Sequence, residues 1–172
     1  MKRSDIHPLP DYFDRYILLV DDIELDEAFQ ISLAELADFD WGACQHLGTQ
    51  TYAPGKWTVP DILQHLLDWE RILSYRALLF VRETGIQAQG IDQDLLARNA
   101  AAQSRPVAGL LEEMTVLRQS TRLFFKNMND ADLLKTGVSW NSEMSVLAMA
   151  FTILGHQRHH FAILQERYLP LR

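Results

Sequence analysis

Residues 57–71 read W-T-V-P-D-I-L-Q-H-L-L-D-W-E-R, and residues 153–168 read I-L-G-H-Q-R-H-H-F-A-I-L-Q-E-R-Y. Apolar residues recur in both stretches at spacings of three and four, which is the period of an amphipathic α-helix. Each stretch also carries histidine on its apolar stripe: His65 in the first, and His156 and His160 in the second. The two stretches therefore predict two core helices with imidazole side chains on their buried faces.

The same period extends along most of the chain and predicts four long helices, while the alternation typical of strands is nearly absent. The long helices are expected at about 22–47, 58–85, 104–128 and 141–168, and shorter ones at 11–20 and 92–103. Thr58 is a candidate N-cap, with Pro60 in the first turn and Asp61 three residues after the cap. The pattern predicts an all-α four-helix bundle in which residues 1–172 form a single domain.

The links between the long helices differ in length, and this difference bears on their direction. Short links favour antiparallel neighbours, whereas the long link at 84–104 permits a crossover. At about 1.5 Å per residue, His65 lies about 10 Å from the start of its helix and His160 about 12 Å from the end of its own. These side chains reach one level only if the second and fourth long helices are antiparallel. The sequence thus predicts an up-down-down-up order.

Composition argues against several classes of protein. The chain has 16 basic and 23 acidic residues, a formal net charge of -7 and no basic cluster, so a nucleic-acid partner is not expected. No apolar run is long enough to span a membrane, and the stretch M-K-R-S-D-I-H-P-L-P-D lacks the apolar core of a secretory signal. The single cysteine, Cys44, cannot form an internal disulfide and is expected to be buried. We expect a cytoplasmic protein without a membrane partner.

The three histidines are the candidate metal ligands. His156 and His160 are four residues apart, so their side chains lie on one helix face, and His65 is expected at the same level. A lone histidine on an apolar stripe is also compatible with a hydrogen-bonded core residue, and that interpretation stays open. Three neutral imidazoles with an open fourth position are typical of a catalytic metal site. Such a donor set suits zinc, nickel or iron and does not distinguish among them.

Carboxylates and a further histidine lie next to these positions. Asp61 and Asp68 are each about one turn from His65 and are candidate acceptors for its second ring N–H, although Asp61 is also a candidate helix cap and Asp68 a candidate surface carboxylate. His159 lies about 100° around the helix from His160 and is predicted to point away from the site.

Several other side chains are weaker candidates for a role in the site. Trp57 and Trp69 are candidate pocket walls as well as packing residues, and His46 could line the mouth or lie on the surface at a helix end. Glu70 and Arg71 could contact substrate, but charges on the outer face of an amphipathic helix usually meet water.

Three short motifs along the chain carry a family resemblance. They are Tyr52-Ala-Pro-Gly-Lys-Trp57-Thr58, then His65 with Asp68 and Glu70-Arg71, and finally Gly155-His156-x-x-His159-His160 with Glu166-Arg167-Tyr168. Together with the helix layout, they resemble the DinB-like family (also called YfiT-like) of proposed metal-dependent enzymes, and especially its second branch.

The resemblance implies an up-down-down-up four-helix bundle that holds a divalent metal on His65, His156 and His160. It also implies a homodimer, and some relatives are thiol-dependent transferases or isomerases that use bacillithiol, mycothiol or glutathione. We therefore expect a metal-dependent enzyme that activates water or a low-molecular-weight thiol, for hydrolysis or thiol transfer on a small-molecule substrate. The alternatives are a metal-binding helical stress-response module without turnover and a dimerisation scaffold that uses the third long helix.

Overall fold

The computed structural model describes residues 1–83 and 85–171. Its helices and strands are α1 Asp14–Ile17, α2 Leu25–Asp38, α3 Trp41–Leu47, α4 Val59–Arg82, β1 Gln87–Ala88, α5 Gln93–Ala100, α6 Val107–Lys126, α7 Asp130–Leu133, β2 Thr136–Ser139, β3 Ser142–Ser145 and α8 Val146–Ile163. A π-helical turn at Leu164–Tyr168 extends α8. Among the described helices, none has the length and hydropathy needed to cross a bilayer.

Helices α2, α4, α6 and α8 form a four-helix bundle, and two buried apolar clusters reveal their directions. One cluster joins Phe29 early in α2, Phe80 late in α4, Phe125 at the end of α6 and Leu147 at the start of α8. The other joins Leu36 late in α2, Leu63 early in α4, Leu110 early in α6 and Phe161 near the end of α8. Helices α2 and α8 therefore run one way and α4 and α6 the other. This confirms the predicted up-down-down-up order, with the crossover between α4 and α6.

A capping box starts α4, as the sequence predicts. The backbone N–H of Asp61 donates to Thr58 Oγ1 over 3.3 Å, and the backbone N–H of Thr58 donates to Asp61 Oδ2 over 2.9 Å. The crossover returns to the same end of the bundle, where Gln103 Nε2 donates to Asp61 Oδ2 over 3.2 Å. Arg105 forms a second hydrogen bond to α4, in which its Nη1 donates to Gln64 Oε1 over 2.6 Å. Hydrogen bonds from the residue before α4 and from the crossover thus both fix the start of this helix.

The predicted first long helix, 22–47, is wrong because two helices occupy that range. Helix α2 ends at Asp38, Phe39 is extended, and α3 begins at Trp41. The side chain of Asp40 accepts from the backbone N–H of Ala43 over 3.1 Å and caps α3. The apolar spacing continues through this break, so periodicity alone does not detect it.

The predicted start of the fourth long helix at about 141 is also wrong. Helix α8 begins at Val146, where Ser145 Oγ accepts from the backbone N–H of Ala148 over 3.0 Å. The residues before it form the hairpin β2–β3, and β1 from the crossover pairs parallel to β2. The hairpin packs onto the end of α4 at Gly137, where an added Cβ would lie only 2.4 Å from the ring of Phe80. A three-stranded sheet that the sequence did not predict therefore caps this end of the bundle.

A buried polar network crosses the centre of the bundle and takes one residue from each long helix. Arg118 of α6 donates through Nε to Glu70 Oε1 of α4 over 3.0 Å and through Nη2 to Glu70 Oε2 over 2.9 Å. Arg118 Nη1 contacts Ser32 Oγ of α2, and Gln157 Nε2 of α8 donates to the backbone carbonyl of Ser32 over 3.0 Å. Glu70 is 4% exposed and Arg118 is 2% exposed.

The expectation that Glu70 meets water is therefore wrong, whereas its neighbour Arg71 is exposed. Glu70 lies between α4 and α6 and finds a cation there, which makes its burial possible. Arg71 lies on the outside and pairs with Glu113.

We predict that Arg118→Met lowers the free energy of unfolding by about 3–5 kcal/mol, because it leaves the Glu70 carboxylate buried without its cation. The measurement is urea unfolding followed by circular dichroism. The matched control is Arg122→Met, one turn later on α6, where the pair with Asp26 is partly exposed and its loss should lower the free energy of unfolding far less. Equal losses in the two variants would contradict a special role for the buried pair.

Candidate metal centre

The structure brings the three predicted histidines together between α4 and α8. The Nε2 atom of His156 lies 3.1 Å from His65 Nε2 and 3.0 Å from His160 Nε2. Each of the three residues offers a ring nitrogen within 4.8 Å of those of the others, and all three side chains are buried. The antiparallel packing of the two helices produces this convergence, since His65 lies early in α4 and His160 late in α8.

Burial keeps the three imidazoles neutral. Desolvation lowers the pKa of His65 to about 4, with a smaller contribution from His159. Desolvation is also the largest cause that lowers the pKa of His156 and His160 well below the ordinary value, and the neighbouring imidazoles add to it. Neutral imidazole is the form that coordinates metals, so the three side chains are in the right protonation state near pH 7.

The geometry of the three nitrogens fits a shared cation better than a network of hydrogen bonds. A neutral Nε2 has one in-plane position, which holds either a proton or a lone pair. His156 Nε2 nevertheless lies within hydrogen-bond distance of two other Nε2 atoms, so one position would have to serve two partners. Nitrogens about 2.0–2.1 Å from zinc in a tetrahedral site lie roughly 3.3 Å apart, close to the spacing seen here. The donor set is therefore suited to a divalent metal.

Aromatic rings enclose the three histidines. The ring of Trp57 lies 4.6 Å from that of His65, and the ring of Tyr16 lies 5.1 Å from that of His156. The hydroxyl of Tyr168 donates to the backbone carbonyl of Trp57, which anchors the loop before α4 to the end of the chain. These contacts limit the access of water and contribute to the desolvation of the imidazoles.

The predicted carboxylate acceptors do not contact the histidines. Asp61 is engaged by Thr58 and Gln103, and Asp68 accepts from Gln64 Nε2 over 2.9 Å. Among the described residues neither carboxylate forms a hydrogen bond with His65, so both candidate roles beside it are wrong; Asp61 serves as the helix cap, and Asp68 binds its neighbour Gln64. Within the described residues, the buried Nδ1 of His160 has no hydrogen-bond partner.

The remaining candidate residues do not belong to the histidine cluster. His159 lies outside the cluster with its ring 5.3 Å from that of Tyr16, and His46 is exposed. Cys44 is buried in the apolar cluster that surrounds the start of α4. Trp69 lies 6.2 Å from the ring of His65 and forms a wall of the adjoining cavity.

A cavity of about 220 Å³ reaches the site beside His156. Its walls are Tyr12, Phe13, Tyr16, Trp69, Leu73, Arg76, Ile91, Gln93, Trp140, Thr152 and His156. The N-terminal segment, the crossover and the β2–β3 turn supply the walls that α4 and α8 do not. Sequence reasoning missed Tyr16, Arg76 and Thr152. For Arg76 a signal existed, because a charged residue follows Trp69 and Leu73 on an apolar helix stripe.

Comparison with known proteins places this arrangement in a family. The sequence profile of the DinB superfamily matches residues 14–164, which include all three histidines. The chain belongs to the DinB superfamily. No match was found among the curated proteins.

A solved structure supports the fold of this DinB superfamily member. YfiT from Bacillus subtilis is similar with a TM-score of 0.70 at 16% sequence identity, over 92% of this chain and 87% of that chain. It is described as a probable metal-dependent hydrolase with an unusual four-helix bundle topology. At this identity the likeness shows the common fold, in agreement with the up-down-down-up order.

In this DinB superfamily member, α1 packs directly against the backbone of α8 at Gly155. An added Cβ at Gly155 would lie 1.8 Å from the carbonyl oxygen of Tyr16 and 2.5 Å from its carbonyl carbon. Because the clash is with backbone, α1 would have to move as a unit. Gly155 therefore lets α1 bring the Tyr16 ring against His156.

We predict that Gly155→Ala lowers the free energy of unfolding by about 1–3 kcal/mol through overpacking against α1. Gly109→Ala is the matched control, because an added Cβ there meets only Pro106 Cγ at 3.6 Å and alanine favours the helix. Chemical denaturation followed by tryptophan fluorescence measures both. An unchanged Gly155→Ala protein would show that α1 does not depend on this close approach.

Proposed function

We propose that this protein is a metal-dependent enzyme whose divalent ion is held by His65, His156 and His160. The observation that carries the proposal is the convergence of three neutral, buried Nε2 atoms at spacings of 3.0 and 3.1 Å around His156. Two of these residues lie on α8 and the third on its antiparallel neighbour α4, and among the described residues no fourth metal-binding side chain belongs to the cluster. Three protein ligands with an open position are typical of catalytic rather than structural zinc sites.

The surroundings of the three histidines support an enzyme over a structural site. The cavity beside His156 has room for a small molecule, and aromatic residues form much of its wall. Membership of the DinB superfamily and the description of YfiT as a probable metal-dependent hydrolase point the same way. A divalent ion bound here would lower the pKa of a water or thiol in its open position, which supplies a nucleophile for hydrolysis or thiol transfer.

This chain's own residues would prepare the site for such chemistry. Trp57 and Tyr16 pack against the imidazoles and limit the access of bulk water to them. In a site of low polarity, charge that develops on a substrate interacts more strongly with fixed groups than it would in water. The cavity would hold a substrate next to His156, one of the three residues that would hold the ion.

We predict that tag-free protein binds about one equivalent of zinc, nickel or iron. His65→Ala, His156→Ala and His160→Ala should each weaken binding more than about 100-fold, because each removes a ligand rather than an outer contact. The measurements are elemental analysis of the purified protein and competition with a chromophoric chelator.

His159→Ala is the matched control, because His159 is adjacent to His160 on α8 but lies outside the cluster. It should retain the metal with nearly unchanged affinity. Equal loss in all four variants would indicate that metal retention reflects the stability of the fold, and no metal in the wild type would end the proposal.

Turnover is tested separately from metal binding. Metal-loaded protein is assayed for hydrolysis of p-nitrophenyl acetate and for conjugation of monochlorobimane with bacillithiol, mycothiol or glutathione. Activity that disappears in His156→Ala would identify an enzyme and distinguish hydrolase from transferase. Full metal occupancy with no turnover in any of these assays would instead favour a metal-binding module.

A further inference from the structure

Arg76 is a buried cation on α4 that lies in the wall of the cavity. The residue is 3% exposed, and its Nη1 donates to Ser139 Oγ over 3.0 Å while its Nη2 donates to the backbone carbonyl of Gln89 over 2.6 Å. One acceptor belongs to β2 and the other follows β1. The small sheet therefore fixes the position of the guanidinium.

The guanidinium has no anionic partner in the part of the chain that the structure describes. Both acceptors are neutral oxygens, and no carboxylate of the described residues lies within ion-pair distance of Arg76. Desolvation lowers the pKa of Arg76, and no nearby acid offsets this effect. Burial of a charge is costly unless the charge is paired, so the positive charge of Arg76 is only partly compensated.

Arg118 provides a comparison within the same bundle. It is buried to a similar degree, but it lies against both carboxylate oxygens of Glu70. Arg118 is enclosed by four helices, whereas Arg76 faces the cavity that also reaches His156. The partner missing at Arg76 would thus have to enter from this cavity.

The remaining walls define what else a ligand would contact. The rings of Tyr12, Tyr16 and Trp140 form part of the cavity wall, with Tyr12 packed edge-on against Trp140 at 5.8 Å between ring centroids. Trp69 lies between the level of the histidines and that of Arg76, and its buried Nε1 has no hydrogen-bond partner among the described residues. The walls therefore favour a flat apolar or aromatic body with a hydrogen-bond acceptor.

We propose that the cavity binds a small apolar or aromatic carboxylate, with its carboxylate on Arg76 and its other end next to the histidine cluster. The planar fork of a guanidinium matches a carboxylate and can bind it through two parallel hydrogen bonds. The proposal rests on the proposed function, since it names the substrate class of that site. The ligand completes the ion pair that the fold leaves open.

The test compares phenylacetate with phenylacetamide, which have the same ring and differ in charge. Binding is measured by calorimetry and by intrinsic tryptophan fluorescence, to which Trp69 and Trp140 in the cavity wall contribute, with protein in its metal-loaded and metal-free forms. We expect the carboxylate to bind at least about tenfold more tightly than the amide in both forms, because an ionised acceptor forms stronger hydrogen bonds. Arg76→Met should abolish this preference, and Arg76→Lys should retain only part of it.

The matched control is Arg71→Met, which removes an exposed arginine of the same helix that pairs with Glu113 outside the cavity. It should keep the full preference for the carboxylate. Equal binding of the two probes, no saturable binding up to about 10 mM, or a preference that survives Arg76→Met would overturn the proposal. A preference that disappears on removal of the metal would also overturn it, because the carboxylate would then be bound by the ion. If the carboxylate is preferred but the protein binds no metal, the proposed metal-dependent function is contradicted, whereas the carboxylate site at Arg76 is supported.

Discussion

The antiparallel packing of α4 against α8 determines that the three histidines meet, and the walls of the site are arranged around them. His65 is six residues after the first residue of α4 and His160 is fourteen after the first residue of α8. In a parallel pair with aligned starts, these positions would differ in height by roughly 12 Å at about 1.5 Å per residue. The antiparallel arrangement removes this difference. It also requires the chain between α4 and α6 to travel the length of the bundle, and this crossover supplies β1 and a wall of the cavity.

The features that the sequence predicted depend on local spacing, and those it missed depend on distant contacts. Helical periodicity, the cap at Thr58 and the depth of the histidines are properties of single segments, so the bundle and the meeting of His65 with His156 follow from them. Strand β2 is stabilised by β1, which lies about fifty residues away along the chain, and no periodicity reports that pairing. One acceptor of Arg76 lies on β2 and the other directly follows β1, so the surroundings of Arg76 could not be predicted from local spacing either.

Two buried arginines show how the fold uses polar groups inside an apolar core. Arg118 binds Glu70 and Ser32, which connects α6 with α4 and α2. Such a closed network favours one arrangement of the helices over alternatives, because any slippage would leave a buried charge unpaired. Arg76 is held by neutral oxygens of the sheet and stays open on one side. Arg118 therefore stabilises the packing of the helices, whereas Arg76 remains free to bind a ligand in the cavity.

The mouth of the cavity is built from Tyr12, Ile91 and Trp140, none of which lies on a long helix of the bundle. The histidines, by contrast, lie on α4 and α8, whose packing the whole core enforces. Changes in loop length or in these aromatic residues would therefore alter the shape of the opening at little cost to the histidine cluster. In a bundle organised in this way, the opening of the cavity can change its shape and chemistry independently of the histidine cluster.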